Sequence, residues 1–171
     1  MKELVVISGK GGTGKTSMVA AFASLASGVV CADCDVDAAN LHLVSHPVTR
    51  ETRNFFGGYK ASVSMEVCTA CGRCLEVCRY GAVTKGEGYY SIDPLHCEGC
   101  GVCAWSCPAG AVTTEPGQNG EWYISDTANG PLVHARLFPG SENSGKLVTQ
   151  VRKAARKEAQ RTGARIMIVD G

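Results

Sequence analysis

Eight of the ten cysteines fall into two runs whose spacing suits metal chemistry. Cys68, Cys71, Cys74 and Cys78 spell C-x2-C-x2-C-x3-C, and Cys97, Cys100, Cys103 and Cys107 spell it again before Pro108. The second run is the first displaced by 29 residues, from Cys68 to Cys97. Gly72, Gly81, Ala82, Val83 and Thr84 recur at the same displacement as Gly101, Gly110, Ala111, Val112 and Thr113. The segment is therefore an internal duplication. Three thiolates this close can each take one corner of a cubane, with the fourth ligand coming from the other repeat. That rule predicts one [4Fe–4S] cluster on Cys68, Cys71, Cys74 and Cys107, and a second on Cys97, Cys100, Cys103 and Cys78. Zinc is the alternative, but a structural zinc usually takes two C-x2-C pairs separated by a longer loop. Arg79 follows Cys78 where the pattern prefers proline. Cys31 and Cys34 read as small core or loop residues, and His42, His46 and His96 as structural or bystander residues.

A second constellation opens the chain. Gly9, the four residues after it, then Gly14, Lys15 and Thr16 fit the phosphate-cradling pattern G-x4-G-K-[ST]. Glycines serve there because the backbone must turn tightly and aim successive N–H groups at phosphate oxygens. The helix that begins near Thr16 adds its positive dipole end. The expected nucleotide contacts are Gly9, Lys10, Gly11, Gly12, Thr13, Gly14, Lys15, Thr16 and Ser17. Lys15 would reach the β- and γ-phosphates and Thr16 would place its hydroxyl on Mg²⁺.

The elements that must position these residues follow from the apolar pattern. Leu4–Ile7 reads as a strand leading into the loop, and Met18–Ala26 as a helix of small and apolar residues that stops at Gly28. Val29–Ala32 reads as a buried parallel strand that delivers Asp33, Asp35 and Asp37 to the carboxyl edge of the sheet, where open α/β folds bind ligands. Pro47–Lys60 reads as a polar boundary with a turn at Gly57-Gly58. Gly88–Ile92 reads as a strand pairing near Val63 or Val112. After Pro116–Gly120, the runs Glu121–Ser125 and Leu132–Leu137 read as strands. Glu142–Arg161 reads as a helix with a solvated basic face, and Ile166–Val169 as a strand ending on Asp170, an aspartate suited to hold Mg²⁺ through water. The fold class is α/β: a partial P-loop NTPase-like parallel sheet with an inserted α+β two-cluster ferredoxin-like domain. The expected boundaries are 1–60 for the N-terminal part, 61–116 for the insert and 117–171 for the continuation.

A net charge of +1 over 171 residues makes no electrostatic case for a nucleic-acid partner. No apolar run approaches membrane-spanning length. The N-terminus runs directly into a strand and its loop, and the cysteines suit metal ligation in a reducing compartment, so the expected location is cytoplasmic.

Taken together, these residues resemble the MinD/ParA-type deviant P-loop ATPases, in particular the members with an inserted ferredoxin domain. Lys10 carries the resemblance most specifically, as the extra signature lysine inside the loop. The resemblance implies that Lys10 crosses a dimer interface to the partner's nucleotide, that Asp33 and Asp35 form the first switch with Asp35 orienting water, that Asn40 is a nearby switch contact, and that Asp170 opens the second switch. Lys10, Lys15 and Asp35 are then the catalytic candidates. Thr16, Asp33 and Asp170 join the eight cysteines as metal candidates. The implied cofactors are two [4Fe–4S] clusters, ATP or ADP, and Mg²⁺.

The function that combines these features is an ATP-binding iron–sulfur protein in which nucleotide binding and dimerisation are coupled to electron transfer or cluster delivery. ATP hydrolysis would be the associated enzymatic activity. The expected partners are a second copy of the chain on ATP binding and a redox or cluster-accepting protein. Two alternatives stay open: a ferredoxin-type carrier on a non-hydrolysing ATPase scaffold, and half of a split ATPase whose complement is a separate chain.

Overall fold

Alternate residues of the strand Val29–Asp33 (β2) serve two different cores, as side chains that point to opposite faces of a sheet must. Val30 and Ala32 pack with the helix Ser144–Thr162 (α5), while Val29 and Cys31 pack with the helix Lys15–Leu25 (α1). The strand Ile166–Asp170 (β8) repeats the pattern, with Met167 and Val169 towards α5 and Ile168 towards α1. These continuous apolar runs are what a parallel strand covered on both faces requires.

The computed structural model describes residues 1–10, 12–141 and 144–171. Its other elements are the strand Lys2–Val6 (β1), the short helix Leu41–Ser45 (α2), the strand Val48–Val63 (β3), the helix Arg73–Val77 (α3), the strands Val83–Lys85 (β4) and Tyr90–Ile92 (β5), the helix Val102–Trp105 (α4), and the strands Val112–Thr127 (β6) and Gly130–Leu137 (β7). Six strands form one sheet in the order β1-β8-β2-β7-β6-β3. β1, β8, β2 and β7 are mutually parallel, whereas β6 runs antiparallel to β7. The sheet is thus mixed α/β and mostly parallel, rather than parallel throughout.

The chain divides into two units. One comprises Met1–Phe55, Gly120–Leu137 and the C-terminal segment to Gly171; the other comprises Phe56–Asn119 and a short segment from Phe138. In the first unit, α5 buries Leu147, Val151, Ala154, Ala155 and Ala159. Part of its basic face is ion-paired: Arg152 and Arg156 bind Glu3, while the buried Glu158 is met by Arg50 and Arg161. Glu142, the expected start of this helix, lies outside the described residues.

In the second unit the duplication is visible in the backbone. Cys68 N donates to Ser64 O and Cys97 N to Asp93 O, both at 3.0 Å; Ser64 N donates to Ala111 O and Asp93 N to Ala82 O, both at 2.8 Å. Ser62 and Thr113 share a hydroxyl contact, as Ser91 and Thr84 do. Each repeat thus ties the strand before its cysteines to the segment after the other repeat's. The core beneath them is small and includes Ala61, Ala82, Val83, Tyr90 and Val112.

Three sequence expectations are corrected. Pro47–Lys60 is no polar linker with a turn: β3 runs extended through Gly57 and Gly58, whose N–H groups both donate to Asn119 Oδ1 at 3.1 Å. Pro116–Gly120 is no break either, because β6 continues through it. Gly120 is required there by close approach, since a β-carbon would lie 2.5 Å from Arg136 O. Finally, β5 pairs antiparallel with β4, Val83 opposite Ile92, and not with Val63 or Val112.

The α5 core sets a stability prediction. Leu147 is fully buried and Leu25 is 86% exposed. Leu147→Ala is expected to cost about 2–5 kcal/mol, whereas Leu25→Ala should stay within about 0.5 kcal/mol. Urea unfolding followed by the fluorescence of Trp122, which lies in the same core, measures both.

Candidate functional sites

The carboxyl ends of β1, β8 and β2 lie side by side, with Val6 opposite Asp170 and Asp170 opposite Asp33. The loop after β1 leads into α1, whose N-cap Gly14 adopts φ 82°. Gly12 also has positive φ, at 77°, a conformation that side chains other than glycine resist. No atom lies within 4 Å of where a β-carbon would sit at Gly9, Gly12 or Gly14. These three positions therefore face open space.

At the mouth of this loop Lys15 Nζ donates to Asp170 Oδ1 and lies 3.7 Å from Asp35 Oδ2, and Thr16 Oγ1 donates to Asp170 Oδ2 at 2.8 Å. Both Asp170 oxygens are thus engaged by the first residues of α1, and this satisfies a fully buried carboxylate. Burial alone would lower the Lys15 pKa, but the hydrogen bond and charge of Asp170, with Asp35 and Asp33, hold it above the ordinary lysine value. Asp33 is likewise fully buried. Its oxygens accept from the backbone N–H groups of Asp35 at 3.1 Å and Leu41 at 3.0 Å, which fixes the turn between β2 and α2. Desolvation pushes the Asp33 pKa up to about 6, against the lowering effect of those two bonds.

The structure thus brings Lys15, Thr16, Asp35 and Asp170 together, with Asp33 beneath as a backbone anchor. Gly9, Lys10, Thr13 and Ser17 lie exposed on the loop and the start of α1, and Ser8 Oγ donates to Lys10 O at 3.3 Å. Gly11 lies outside the described residues. Asn40 is exposed just before α2, where its carbonyl accepts from Leu43 N. Asp37 points to solvent. Burial raises the thiol of Cys31 to about 12 and that of Cys34 to about 11, far from the thiolate a metal ligand needs.

The duplicated cysteines line two separate cavities in the second unit. One is walled by Cys68, Cys71, Cys74 and Cys107 together with Tyr90, Val63 and Ala111. The other is walled by Cys78, Cys97, Cys100 and Cys103 with Ala61, Val83 and Ile92. Each cavity therefore takes three cysteines from one repeat and one from the other, the crossed set expected from the spacing. The remaining wall residues named here are mostly apolar, as around a buried cluster.

The short helices α3 and α4 that carry Cys74 and Cys103 start from Gly72 and Gly101, at φ 82° and 75°. At Cys107, burial acts to raise the thiol pKa, but the N–H groups of Ala111, Ala109, Val112 and Gly110 outweigh it and hold the thiol below its usual value. Ala111 N lies 3.3 Å from Cys107 Sγ. Such N–H···S bonds stabilise a ligating thiolate.

Two features carried no signal in the sequence spacing. Lys60 Nζ donates to Cys97 O at 2.8 Å, pinning the second cysteine loop. In the first unit His42, His134 and Tyr123 stack in a column, with centroids 5.3 Å and 4.8 Å apart. Burial, helped by the neighbouring His42, lowers the His134 pKa to about 4. Among the described residues no helix is long and apolar enough to cross a membrane.

Residues 67–111, which include all eight motif cysteines, match the 4Fe-4S dicluster domain family. Over 174 aligned positions the chain is 36% identical to an uncharacterized protein of Methanocaldococcus jannaschii, an alignment that covers 99% of this chain. The chain spans 59% of that relative's length. The second unit thus contains a ferredoxin-type 4Fe-4S dicluster domain, the kind of domain that carries electrons, and iron–sulfur clusters are its cofactors.

Asp33 gives this region a measurable pH dependence. Its folded pKa of about 6 lies above the ordinary 3.8, so between those values the folded chain holds a proton that the unfolded chain has released. The contribution to stability is complete below about pH 4 and is lost as pH rises through about 6, by on the order of 3 kcal/mol. Comparing urea unfolding from pH 4 to 7 in the wild type and in Asp33→Asn should show that this fall is absent in the variant.

Proposed function

We propose that the chain is an ATP-binding iron–sulfur protein in which nucleotide binding and dimerisation are coupled to electron transfer or cluster delivery through two [4Fe–4S] clusters. The observation that carries the nucleotide half is the meeting of Lys15, Thr16, Asp35 and Asp170 at the carboxyl ends of β1, β8 and β2. A lysine and a hydroxyl at the start of a helix, facing two carboxylates behind a glycine loop, is the donor set a magnesium nucleotide calls for. In this reading the P-loop NTPase fold extends over the first unit. The backbone of residues 9–14 and Lys15 would hold the phosphates, and Thr16 and Asp170 would hold Mg²⁺, with Asp33 fixing the switch loop. Asp35 would orient water, and Lys10, exposed on the loop, would reach the partner's nucleotide. Asn40 is a contact of the same switch.

The cluster half is supported by the dicluster match and by the two cavities. Cys68, Cys71, Cys74 and Cys107 hold one cluster and Cys97, Cys100, Cys103 and Cys78 the other. When bound, the clusters supply one-electron chemistry. The chain's own residues provide thiolates, apolar walls and, at Cys107, N–H donors that favour the ligating form.

A second reading, an electron carrier whose first unit is only a scaffold, draws on the dicluster match at 67–111. Titration of the anaerobically prepared holoprotein with a fluorescent ATP analogue separates the two. The nucleotide reading predicts Mg²⁺-dependent binding that Lys15→Ala weakens about thirtyfold or more. Lys10→Ala should retain binding but lose ATP-dependent dimerisation in sedimentation velocity. No nucleotide binding by the fully loaded protein would leave only the carrier.

A further inference from the structure

A strand buried on both faces of a parallel sheet carries an unbroken apolar run, and β1 carries one: Leu4, Val5 and Val6, continued by Ile7. Yet β1 lies at the end of the strand order β1-β8-β2-β7-β6-β3. Its side chains alternate between the two faces. Glu3 turns to Arg152 and Arg156 of α5, whereas Val6 packs with the core beneath α1. Val5 is therefore left half exposed on the α5 face and Leu4 on the α1 face, and Ile7 beyond them is 77% exposed. The backbone alternates as well. Lys2 N donates to Arg165 O, and Gly171 N donates to Val6 O. Even-numbered residues of β1 thus bond to β8, and the N–H and C=O groups of Glu3 and Val5 face the open edge.

The helix beside this edge carries a second uncovered surface. α1 buries Val19 and Ala23, but Met18, Phe22 and Leu25 recur at i, i+4 and i+7, which is one stripe of a helix. All three are exposed. The opposite edge of the same sheet is built differently. β3 carries Thr49-Arg50-Glu51-Thr52-Arg53, a charged run of the kind that keeps an edge strand from pairing. β1 has no such protection over Leu4–Ile7. The uncharacterized relative contains polypeptide that could cover this surface, because the chain spans only 59% of its length.

We propose that the open edge of β1 and the stripe Met18, Phe22 and Leu25 form a docking surface for a further α/β segment, a polypeptide that adds a strand to β1 and lays the apolar face of a helix against the stripe. Parallel addition suits the edge, because parallel strands are joined through crossover helices that cover the faces of the sheet. The added strand would pair the backbone groups of Glu3 and Val5, and its flanking helices would bury Leu4 and Val5. This surface is independent of whether the neighbouring loop binds nucleotide.

The test co-expresses the full chain, prepared anaerobically as holoprotein, with the part of the relative that lies outside the alignment. An equimolar complex is expected in sedimentation velocity, and within it hydrogen exchange at the amides of Glu3 and Val5 should slow at least about tenfold. Phe22→Asp and Leu25→Asp should each weaken the complex about tenfold or more, since each sets a charge where an apolar side chain would be buried. Leu25→Met should retain it. Leu25 is exposed in the chain alone, so Leu25→Asp should leave the urea midpoint unchanged, which separates lost docking from lost folding. Absence of a complex would overturn the proposal, as would a complex that leaves exchange in β1 unaltered or is indifferent to both substitutions. Self-association of the chain alone, abolished by the same substitutions, would assign the surface to a second copy and overturn the proposed occupant.

Discussion

The constraint on which the first unit depends is the burial of Asp170 at the end of β8. A buried carboxylate costs several kcal/mol unless charged or hydrogen-bonded partners compensate it. Here both partners come from the first two residues of α1, Lys15 and Thr16. The ion pair therefore ties the start of α1 to the carboxyl end of β8 across 155 residues of sequence. Asp33 performs a parallel task on the neighbouring strand, where its two backbone bonds shape the turn that presents Asp35. These carboxylates have a structural role in this state and would serve a magnesium nucleotide with the same atoms. A nucleotide that drew Lys15 away would leave Asp170 needing a new cation, and Mg²⁺ can be that cation.

The second unit is built on the opposite economy. Its core is a handful of small apolar residues around two cysteine-lined cavities. So little buried surface offers limited hydrophobic stabilisation, and ligation of clusters is then part of what holds the unit folded. Its geometry is correspondingly strict. A β-carbon at Gly99 would fall 2.0 Å from Tyr59 O, so the second cysteine loop passes against that strand with no room for a side chain. The equivalent position in the first repeat is Ala70, held at φ 54°, so the loop conformation is kept even where alanine must strain to adopt it.

What could be read from the residues was local in origin. The cysteine runs, and the place of the glycine loop between β1 and α1, are legible because each is set by a few adjacent backbone turns. Strands such as Val29–Asp33 and Ile166–Asp170 are legible because burial on both faces leaves an unbroken apolar run. The misreadings share a cause. Gly57, Gly58 and Gly120 look like turns, yet they lie in strands and serve close approach or a side-chain cap from Asn119, partners remote in sequence. The β4–β5 pairing was hidden because four short segments of similar composition could pair in several ways, and the crossed symmetry of the repeats decides among them.

The proposed function makes a specific demand, that nucleotide bound at the first unit alter the energetics of the clusters in the second. The direct measurement is the midpoint potential of each cluster in anaerobic holoprotein, by EPR-monitored redox titration, with and without saturating Mg-ATP. Coupling predicts that at least one potential moves by about 60 mV, a tenfold change in the one-electron equilibrium, and that Lys15→Ala abolishes the shift. Identical potentials with nucleotide demonstrably bound would contradict it.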